Sequence, residues 1–579
     1  MTEDKKAPPS TVATRIAAIV TGAAAGDDAA PPPSNLPTIE SPPLAAEAVE
    51  DDAGQPQGDD APATASPASA ARKRRGRPRR RREDDAGGEA GGEEAAAPRK
   101  APRRRSTAAD TIGEIAEGAE FWRAPSGDGH ATIDVNGHRE NWPLESRGFE
   151  RWLASRIFDV TGVAPTSSAL KDIARLCDVL AQRGPTHHTY RRVARVGDRV
   201  FVDLCDDAWR AVEVTAQEWR VIEACPAKFL RSAGMLPLPE PEASDTGLSD
   251  LRGLVNADGE DNFTLVVSWL VGALSGEGPF PIAVLSGEAG TGKSRLAVRM
   301  RSLVDPFVAA MRSPPKDLRD LFAGAANEFV VVLDNISSMQ ADLSDELCRI
   351  ASGSASAARA LHTNTEQVFL TGARPIILNG IGGHFGAQAD LMSRALAIRL
   401  APIPETARRT DREMDAEFAA AQPRIIAALL DAVSAALRNA PTTTLAKLPR
   451  MADFALWMTS AEPGLGWEPG TFVQALESGR EETMEAAYDA DVVAKAIVAW
   501  IADEHPTSGW EGTPSQLHEI LTRRTPEEVR RSRSWPATAM GLGTRVDRVA
   551  DLLRWKKLTL TRRHGKQRTI IIAPSHPRK

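Results

Sequence analysis

The sequence predicts an α/β fold in which helices cover a mostly parallel β-sheet. From about residue 246 to 402, apolar runs typical of buried strands alternate with helical stretches, and one of these runs leads directly into a glycine-rich loop. The chain has 579 residues, of which 42% are hydrophobic and 26% are charged. This length allows roughly three or four domains, and the composition is that of a soluble protein with packed cores.

The first 110 residues differ from the rest, because they contain no Phe, Trp or Tyr and alternate acidic with basic blocks. Such a segment cannot bury enough apolar surface to offset the entropy of ordering, so we expect it to be disordered. Its basic run at 72–82 resembles an AT-hook, in which a thin extended backbone carries Arg75 and Arg77 into a narrow A·T minor groove. A generic basic tail, or a nuclear-targeting run in a eukaryotic host, explains the same residues.

Sequence patterns divide the remaining chain into four parts. A helical pattern at 167–182 and a hairpin pattern at 190–204, turning at Gly197, predict a mixed α+β unit whose role the sequence does not reveal. The proline-rich stretch at 236–242 predicts a boundary after this unit. The predicted parts are an α+β domain at 111–238, an ATPase domain at 246–402, a helical region at 403–490 and a basic module at 491–579.

Several classes of protein are excluded by the sequence. The four cysteines lie far apart without a CxxC pair, which argues against a disulfide framework or a zinc ribbon. The longest apolar run, at 263–274, is too short for a membrane span. The histidines form no metal-ligand spacing, so we expect no catalytic metal beyond Mg²⁺. A cytoplasmic protein without membrane association is therefore expected.

The strongest motif lies at 287–294, between a strand-like run at 282–286 and a helical stretch. Its sequence, GEAGTGKS, fits the phosphate-binding pattern GxxxxGK[ST]. Backbone N–H groups of the loop would surround phosphates, Lys293 would reach the β- and γ-phosphates, and Ser294 would hold Mg²⁺. We therefore predict a site for ATP and Mg²⁺ that is formed by Gly287, Glu288, Ala289, Gly290, Thr291, Gly292, Lys293, Ser294 and Arg295.

Three polar residues at the ends of later apolar runs could complete this site. Asp334 ends the run that begins at residue 328 and could hold Mg²⁺ together with Ser294, although any buried strand can precede a turn Asp. Asn379 ends the next run and could position a water, or could simply form a turn. Arg394 precedes the run at 395–400; it could be a finger acting on a neighbouring subunit, or part of a surface salt bridge.

The segments GEAGTGKS, VVVLDN, RPIILNGI and DLMSRAL all lie within residues 287–396. Together they resemble the P-loop NTPase core of superfamily-3-type helicases and related AAA+ ATPases. More narrowly, they resemble prophage and mobile-element ATPases related to poxvirus-type primase-helicases. The resemblance implies an ATPase with Lys293, Asp334, Asn379 and Arg394 as catalytic residues, acting between subunits of a homo-oligomer such as a hexameric ring.

The same resemblance draws attention to two further positions. Many relatives have a second acid after the Walker B Asp, where this chain has Asn335. The identity of the general base is therefore undecided between Glu288 and Glu328. Slow ATP hydrolysis is one expected consequence. Arg359 lies in the interval that faces the pore of such rings, where it could touch DNA or a nucleotide; a solvated helix face is the alternative.

The C-terminal end is strongly basic although the whole chain has a net charge of −7. Residues 521–579 contain 16 Lys and Arg against 4 Asp and Glu. Three helical patterns, at 491–502, from 513 and at 538–554, and a basic hairpin pattern predict a winged-helix-like DNA-binding module, with a merely solvated basic module as the alternative. The predicted DNA contacts are Arg545 and Arg548 on the recognition helix and Arg562, Arg563 and Lys566 on the wing.

These features predict a DNA-replication ATPase of a phage or mobile element, most simply a helicase that couples ATP hydrolysis to movement on DNA. The alternative is an ATP-regulated DNA-binding adaptor or regulator that unwinds no strand, which Asn335 favours. A small-molecule P-loop kinase would not need the basic C-terminal module. Residues 111–238 contain no obvious primase-type acid cluster or zinc motif, so the sequence gives no basis for predicting primase activity.

Overall fold

The computed structural model describes residues 118–575, except 316, 337–338, 355–356, 360–366, 370–371, 381–388, 533 and 565–567. The predicted disordered tail, with Arg75 and Arg77, lies outside the described residues, and so does Lys566. Of Arg359, the structure describes only the backbone.

The described part of the chain is a mixed α/β structure with several sheets. It begins with a three-stranded antiparallel sheet and two helices that share a small core around Phe149, Leu153 and Ile133. The second helix begins after Thr166, whose side chain accepts a hydrogen bond from the N–H of Ala169. The elements are β1 (Ala119–Arg123), β2 (Gly129–Val135), β3 (His138–Pro143), α1 (Arg147–Thr161) and α2 (Ser167–Arg183).

A four-stranded antiparallel sheet follows, and a short parallel pair of strands flanks it. The predicted hairpin is confirmed, since the first two strands of this sheet pair around a turn in which Gly197 has a φ of 63°. Glycine adopts this left-handed conformation without steric cost. The elements are β4 (Thr189–Tyr190), β5 (Val193–Val196), β6 (Arg199–Asp203), β7 (Ala211–Val214), β8 (Trp219–Ile222) and β9 (Lys228–Phe229).

The central sheet has four parallel strands in the order β11-β14-β10-β15, as the alternating sequence pattern predicts. Helices surround the sheet, and a small antiparallel hairpin, β12–β13, lies apart from it. The elements are α3 (Gly247–Leu254), α4 (Gly259–Ala273), β10 (Ile282–Ser286), α5 (Lys293–Val304), α6 (Leu318–Asn327), β11 (Val331–Ile336), α7 (Ala341–Ser352), β12 (Ala357–Arg359), β13 (Gln367–Phe369), β14 (Ile376–Gly380), α8 (Ala389–Met392) and β15 (Ala395–Arg399).

The largest hydrophobic core extends across the boundary that the proline-rich stretch predicts. It contains Val200 and Val212 of the antiparallel sheet together with Leu285 and Ile398 of the parallel sheet. A fully buried ion pair spans the same boundary, because Nε of Arg192 lies 3.0 Å from a carboxylate oxygen of Asp305. The stretch at 236–242 therefore runs along one shared core and does not separate two cores. Proline content alone could not reveal this, because the packing partners are distant in sequence.

The predicted helical region contains three long helices, α9 (Asp411–Asn439), α10 (Ala452–Ala461) and α11 (Thr471–Ala490). By length and composition α9 could cross a membrane, but 67% of its most apolar window is buried inside the protein. It begins with a capping box, in which the side chains of Thr410 and Glu413 each accept from the other's backbone N–H. Helix α9 therefore serves as a core helix, packed against α3, α4 and α10.

The C-terminal module has its own core, formed by residues such as Trp500, Leu517 and Ile570. The predicted third helix is in fact two helices, because the backbone leaves helical geometry at Val549. A short strand that the sequence pattern did not predict joins the hairpin, in the order β16-β18-β17. The elements are α12 (Val492–Glu504), β16 (Trp510–Gly512), α13 (Pro514–Arg524), α14 (Glu527–Arg530), α15 (Ala539–Arg548), α16 (Ala550–Trp555), β17 (Leu558–His564) and β18 (Arg568–Pro574).

Candidate functional site

Parallel pairing brings the ends of three central strands together at one edge of the sheet. In register, Leu285 of β10 pairs with Asn379 of β14, and Leu333 of β11 pairs with Leu378 of β14. The glycine-rich loop follows β10, so the loop, Asp334 and Asn379 all lie at the carboxyl edge of the sheet. This edge is where open α/β sheets bind their ligands.

The loop itself has a backbone that only glycine adopts without strain. The φ angles of Gly287, Gly290 and Gly292 are 143°, 82° and 88°. A Cβ atom on Gly287 would stand 3.0 Å from the carbonyl oxygen of Leu400, which adds a steric conflict there. Helix α5 starts at once after Gly292 without a side-chain cap. Its first N–H groups therefore remain available to an anion.

Lys293 is held across the loop by the loop's own backbone. Its Nζ donates to the carbonyl oxygens of Gly287 and Glu288, at 3.0 Å and 2.7 Å. The hydroxyl of Thr291 also donates to the carbonyl of Glu288, at 3.0 Å, and further stabilises the turn. The ammonium group is thus positioned inside the curve of the loop, where a phosphate could replace the carbonyl oxygens as its partner.

Ser294, Asp334 and Asn379 form one hydrogen-bonded cluster beside the loop. The Ser294 hydroxyl donates to a carboxylate oxygen of Asp334 at 3.2 Å. The amide nitrogen of Asn379 donates to Oγ of Ser294 at 2.9 Å and also to the Asp334 carboxylate. Asn379 is only 3% exposed, and its amide oxygen has no hydrogen-bond partner among the described residues. The sequence-predicted residues of three separate segments therefore meet here.

The oxygen donors of this cluster fit Mg²⁺. A hydroxyl and a carboxylate suit a hard cation, and Mg²⁺ in phosphate-binding proteins takes one or two carboxylates and completes its octahedron with water and substrate phosphates. Among the described residues, no group of three or more His, Cys, Asp or Glu side chains could hold a metal ion. Ser294 and Asp334 offer two oxygen donors, so a bound Mg²⁺ would complete its shell with water and phosphate oxygens.

A bulge at the end of β11 sets the position of Asp334. The pairing of β11 with β14 shifts register between Leu333 and Ile336, and Asn335 lies in the left-handed region with a φ of 58°. The N–H of Asp334 donates to the carbonyl of Arg312 at 2.8 Å, which fixes the backbone at this point. Asn335 is exposed on this bulge.

Glu328 lies at the wrong edge of the sheet to act as a general base. It precedes β11, whose other end carries Asp334, and it is only 2% exposed. Its carboxylate forms ion pairs with Arg301, at 2.8 Å, and with Arg312. Burial raises the pKa of Glu328, and the two arginines oppose this rise. Its role is structural, so of the two sequence candidates only Glu288, exposed in the loop, stays near the site.

Arg394 lies at the edge of the sheet opposite to the glycine-rich loop. In register, Ile282 pairs with Ala395 and Ser286 pairs with Arg399, so Arg394 lies five residues, or about 17 Å of strand, before the position that pairs with Ser286 at the start of the loop. Its Nε lies 3.4 Å from Asp390, which also pairs with Arg450. The salt bridge that was the alternative explanation is therefore present, and Arg394 is not part of the cluster of its own chain.

The basic residues of the C-terminal module are only partly free. Arg545 pairs at 2.5 Å with Asp491, which caps helix α12, and Arg562 pairs at 2.7 Å with Asp547. These guanidinium groups hold the module together, a role that the sequence interpretation did not foresee because their partners are distant in sequence. Arg548 is exposed, and the Arg563 side chain is 72% exposed. Contact of any of these residues with DNA stays a prediction.

A cavity of about 770 Å³ adjoins the loop, and sequence reasoning missed it. It lies between α5 and the first turns of α9. Arg295, predicted only as a part of the phosphate loop, pairs there with Asp411 and, at 2.6 Å, with Asp415. The sequence did contain one sign of this cavity: Arg295 and Arg299 are four residues apart, and residues with this spacing share one face of a helix.

Two family models match the chain. Residues 248–469 match the model described as the actinomycete integrative conjugative element replication protein, and residues 493–578 match the model of the RepA C-terminal domain from the same elements. Together these matches span more than half of the chain, and they include the glycine-rich loop, the central sheet and the basic module.

Comparisons with individual proteins add little. No curated protein matches the chain. Two solved apo structures of the NrS-1 C-terminal region are similar, with TM-scores of 0.35 and 0.34 and sequence identities of 13% and 12%. In both cases the similarity covers 79% of this chain and 97% of the other. At such scores the similarity establishes neither the fold nor a function.

The structural role of Glu328 can be tested by stability. Glu328→Ala should lower the free energy of unfolding by about 3–5 kcal/mol, because it removes the nearer of the two carboxylates that face buried Arg301. The matched control Glu288→Ala, in the exposed part of the loop, should change it by no more than about 0.5 kcal/mol. Urea unfolding followed by tryptophan fluorescence measures both. Equal unfolding midpoints in the two variants would contradict the structural role of Glu328.

Proposed function

We propose that this chain, a mobile-element replication protein of the RepA family, is an ATPase that couples ATP hydrolysis to movement on DNA. One observation carries the proposal: Lys293, Ser294, Asp334 and Asn379, from three segments of the sequence, meet at the carboxyl edge of a parallel sheet. Each has the chemistry that phosphoryl transfer from a nucleotide requires at that place.

Each residue of the cluster has a distinct part in this proposal. The N–H groups of the loop and of the first turn of α5 bind the phosphates, and Lys293 exchanges its two loop carbonyls for phosphate oxygens. Ser294 and Asp334 hold Mg²⁺, which neutralises charge on the phosphates when bound. Asn379 fixes both of these side chains through its amide nitrogen, while its unpartnered amide oxygen can accept a hydrogen bond from the attacking water.

The position of Arg394 supports catalysis between subunits. A residue at the opposite edge of the sheet cannot reach the phosphates of its own chain, but it can face the phosphate loop of a neighbour in a closed oligomer. A guanidinium group inserted there would stabilise the charge spread over the transferred phosphoryl group. The ion pair with Asp390 would then position Arg394 before the neighbour binds nucleotide.

The C-terminal module is the proposed DNA-binding part. The excess of basic residues after residue 521 would contact phosphates, and such contacts give affinity that falls with salt without reading sequence. Exposed Arg548 and the largely exposed Arg563, which lies 3.4 Å from Glu511, are better placed for this than Arg545 and Arg562, whose ion pairs are shorter and whose side chains are less exposed. DNA therefore binds through a surface separate from the nucleotide cluster.

Asn335 favours a second candidate function, an ATP-regulated DNA-binding adaptor. An amide on the bulge cannot accept a proton as a second carboxylate would, so ATP would be hydrolysed slowly and would stay bound. Bound ATP would then determine how the protein assembles. The two candidates share every contact described above and differ in turnover and strand displacement.

DNA-stimulated ATP hydrolysis tests the proposal. Lys293→Ala should reduce hydrolysis at least about a hundredfold, because a preorganised charge on the transferred phosphates is lost. The control Lys447→Ala removes a lysine whose side chain is 88% exposed and should hydrolyse ATP like the wild type. Strand displacement on a forked substrate by the wild type separates the helicase from the adaptor. Equal hydrolysis by the two variants would refute the site.

Mixing experiments test whether Arg394 acts on a neighbour. Arg394→Ala should lower hydrolysis by about 10³–10⁵ while nucleotide binding is kept. Arg450→Ala, which removes the other partner of Asp390, should keep most of the activity. Mixing Arg394→Ala with Lys293→Ala should restore part of the activity, since some interfaces then combine an intact loop with an intact Arg394. Co-assembly without any gain over the separate variants would remove Arg394 from the catalytic residues.

A further inference from the structure

The cavity beside the phosphate loop has the lining of a base-binding pocket. It starts at the loop residues Gly290 and Gly292 and follows helix α5 as far as Ser302. Its far part is lined by the apolar side chains of Val298, Met311 and Phe418. The near part can thus take phosphates, and the far part can take a flat and largely apolar ring.

Arg299 brings an unsatisfied charge to this apolar lining. It is only 5% exposed, and its Nη1 donates to the carbonyl of Leu254. The remaining groups, Nε and Nη2, have no hydrogen-bond partner among the described residues. Burial, the largest cause, and the neighbouring charge of Arg295 lower the pKa of Arg299, while the charges of Asp415 and Glu417 oppose this change. Buried donors without partners are costly, so their presence indicates a ligand that supplies acceptors.

The nearby acids do not fill this role. Asp415 reaches Arg295 at 2.6 Å, and Asp411 pairs with the same guanidinium. These two carboxylates of α9 therefore pair with Arg295, which lies one turn of α5 before Arg299. Phe418, one turn further along α9 than Asp415, lies with its ring centroid 5.8 Å from the Arg299 guanidinium carbon. Arg299 thus has an aromatic neighbour on one side and two free donors.

We propose that this cavity holds the nucleoside of the nucleotide whose phosphates the loop binds, and that Arg299 donates to two adjacent acceptors on its base. This inference rests on the proposed function. Nε and Nη2 lie side by side on one edge of the guanidinium, a fork that matches a pair of neighbouring acceptors. Guanine presents such a pair in O6 and N7, whereas adenine presents N7 beside a donor. The site therefore accepts guanine nucleotides at least as well as ATP.

A phosphate is a poorer partner for this fork than a base. Arg299 lies five residues beyond Ser294, about 7.5 Å along the helix axis and away from the loop that surrounds the phosphates. The cavity is lined by charged Arg295 and Asp415, which pair with each other, as well as by apolar side chains. The ring of Phe418 lies beside the Arg299 guanidinium and favours a flat ring there. The position of Arg299 and its aromatic neighbour both favour the base, and not the phosphates, as its partner.

Equilibrium binding of three probes to the full chain tests the inference. The probes are GTP, ATP and inorganic tripolyphosphate, each with Mg²⁺; tripolyphosphate has the phosphates without the nucleoside. Arg299→Met should weaken GTP binding about tenfold or more, weaken ATP binding less, and leave tripolyphosphate binding unchanged. Arg299→Lys, which keeps the charge but loses the fork, should weaken GTP binding in the same way.

The outcomes separate this inference from the proposed function. If tripolyphosphate binding falls as much as GTP binding in Arg299→Met, or if Arg299→Lys binds GTP like the wild type, the base contact is refuted. Wild-type binding of ATP at least tenfold tighter than GTP also refutes it, while the phosphate site stands. Absence of binding for all three probes refutes the proposed function itself. If Arg299→Met does not fold, Phe418→Leu provides the test. It should weaken the binding of GTP and of ATP and leave tripolyphosphate binding unchanged. Unchanged affinities for both nucleotides would refute the proposal that this cavity holds the nucleoside.

Discussion

The parallel pairing of β11, β14, β10 and β15 is the constraint on which the rest of the site depends. Because all four strands run in one direction, the residues that follow them meet at one edge although they are far apart in sequence. The register places the strand ends so close together that the Asn379 amide donates hydrogen bonds to both Ser294 and Asp334. The strands are almost wholly buried, so the position of the cluster is set by the hydrophobic core beneath it.

The sequence predicted the parts of this site that depend on local pattern. A glycine-rich loop between a strand and a helix needs particular residues at particular spacings, so the loop could be recognised directly, and so could a polar residue at the end of each buried strand. Long-range ion pairs leave no such signal. Glu328 therefore appeared to be a candidate base, although Arg301 holds it at the opposite edge, and Arg545 appeared free, although it pairs with Asp491. The unpartnered donors of Arg299 were equally invisible, since they depend on how α5 packs against α9.

The N-terminal part of the described chain is joined firmly to the central sheet. Arg192 and Asp305 are both buried, and the second carboxylate oxygen of Asp305 accepts the N–H groups of Phe329 and Val330 at 2.9 Å and 3.1 Å. These two residues lead directly into β11, the strand that ends in Asp334. Such a buried pair is costly to break, because a lone charge would remain away from water. The antiparallel sheet is therefore part of the support of the site, whatever further role it has.

We propose that Asp334 and Ser294 share a magnesium ion with a bound nucleotide. Titration of ATP into the full wild-type chain, with Mg²⁺ and again with EDTA, tests it most directly when Asp334→Ala is measured alongside. We expect saturable ATP binding that Mg²⁺ strengthens in the wild type. In Asp334→Ala we expect weaker binding with little dependence on Mg²⁺, since the loop still binds phosphates. An equal effect of Mg²⁺ on both proteins, or no saturable binding by the wild type, would show that Asp334 and Ser294 do not share a magnesium ion with a nucleotide.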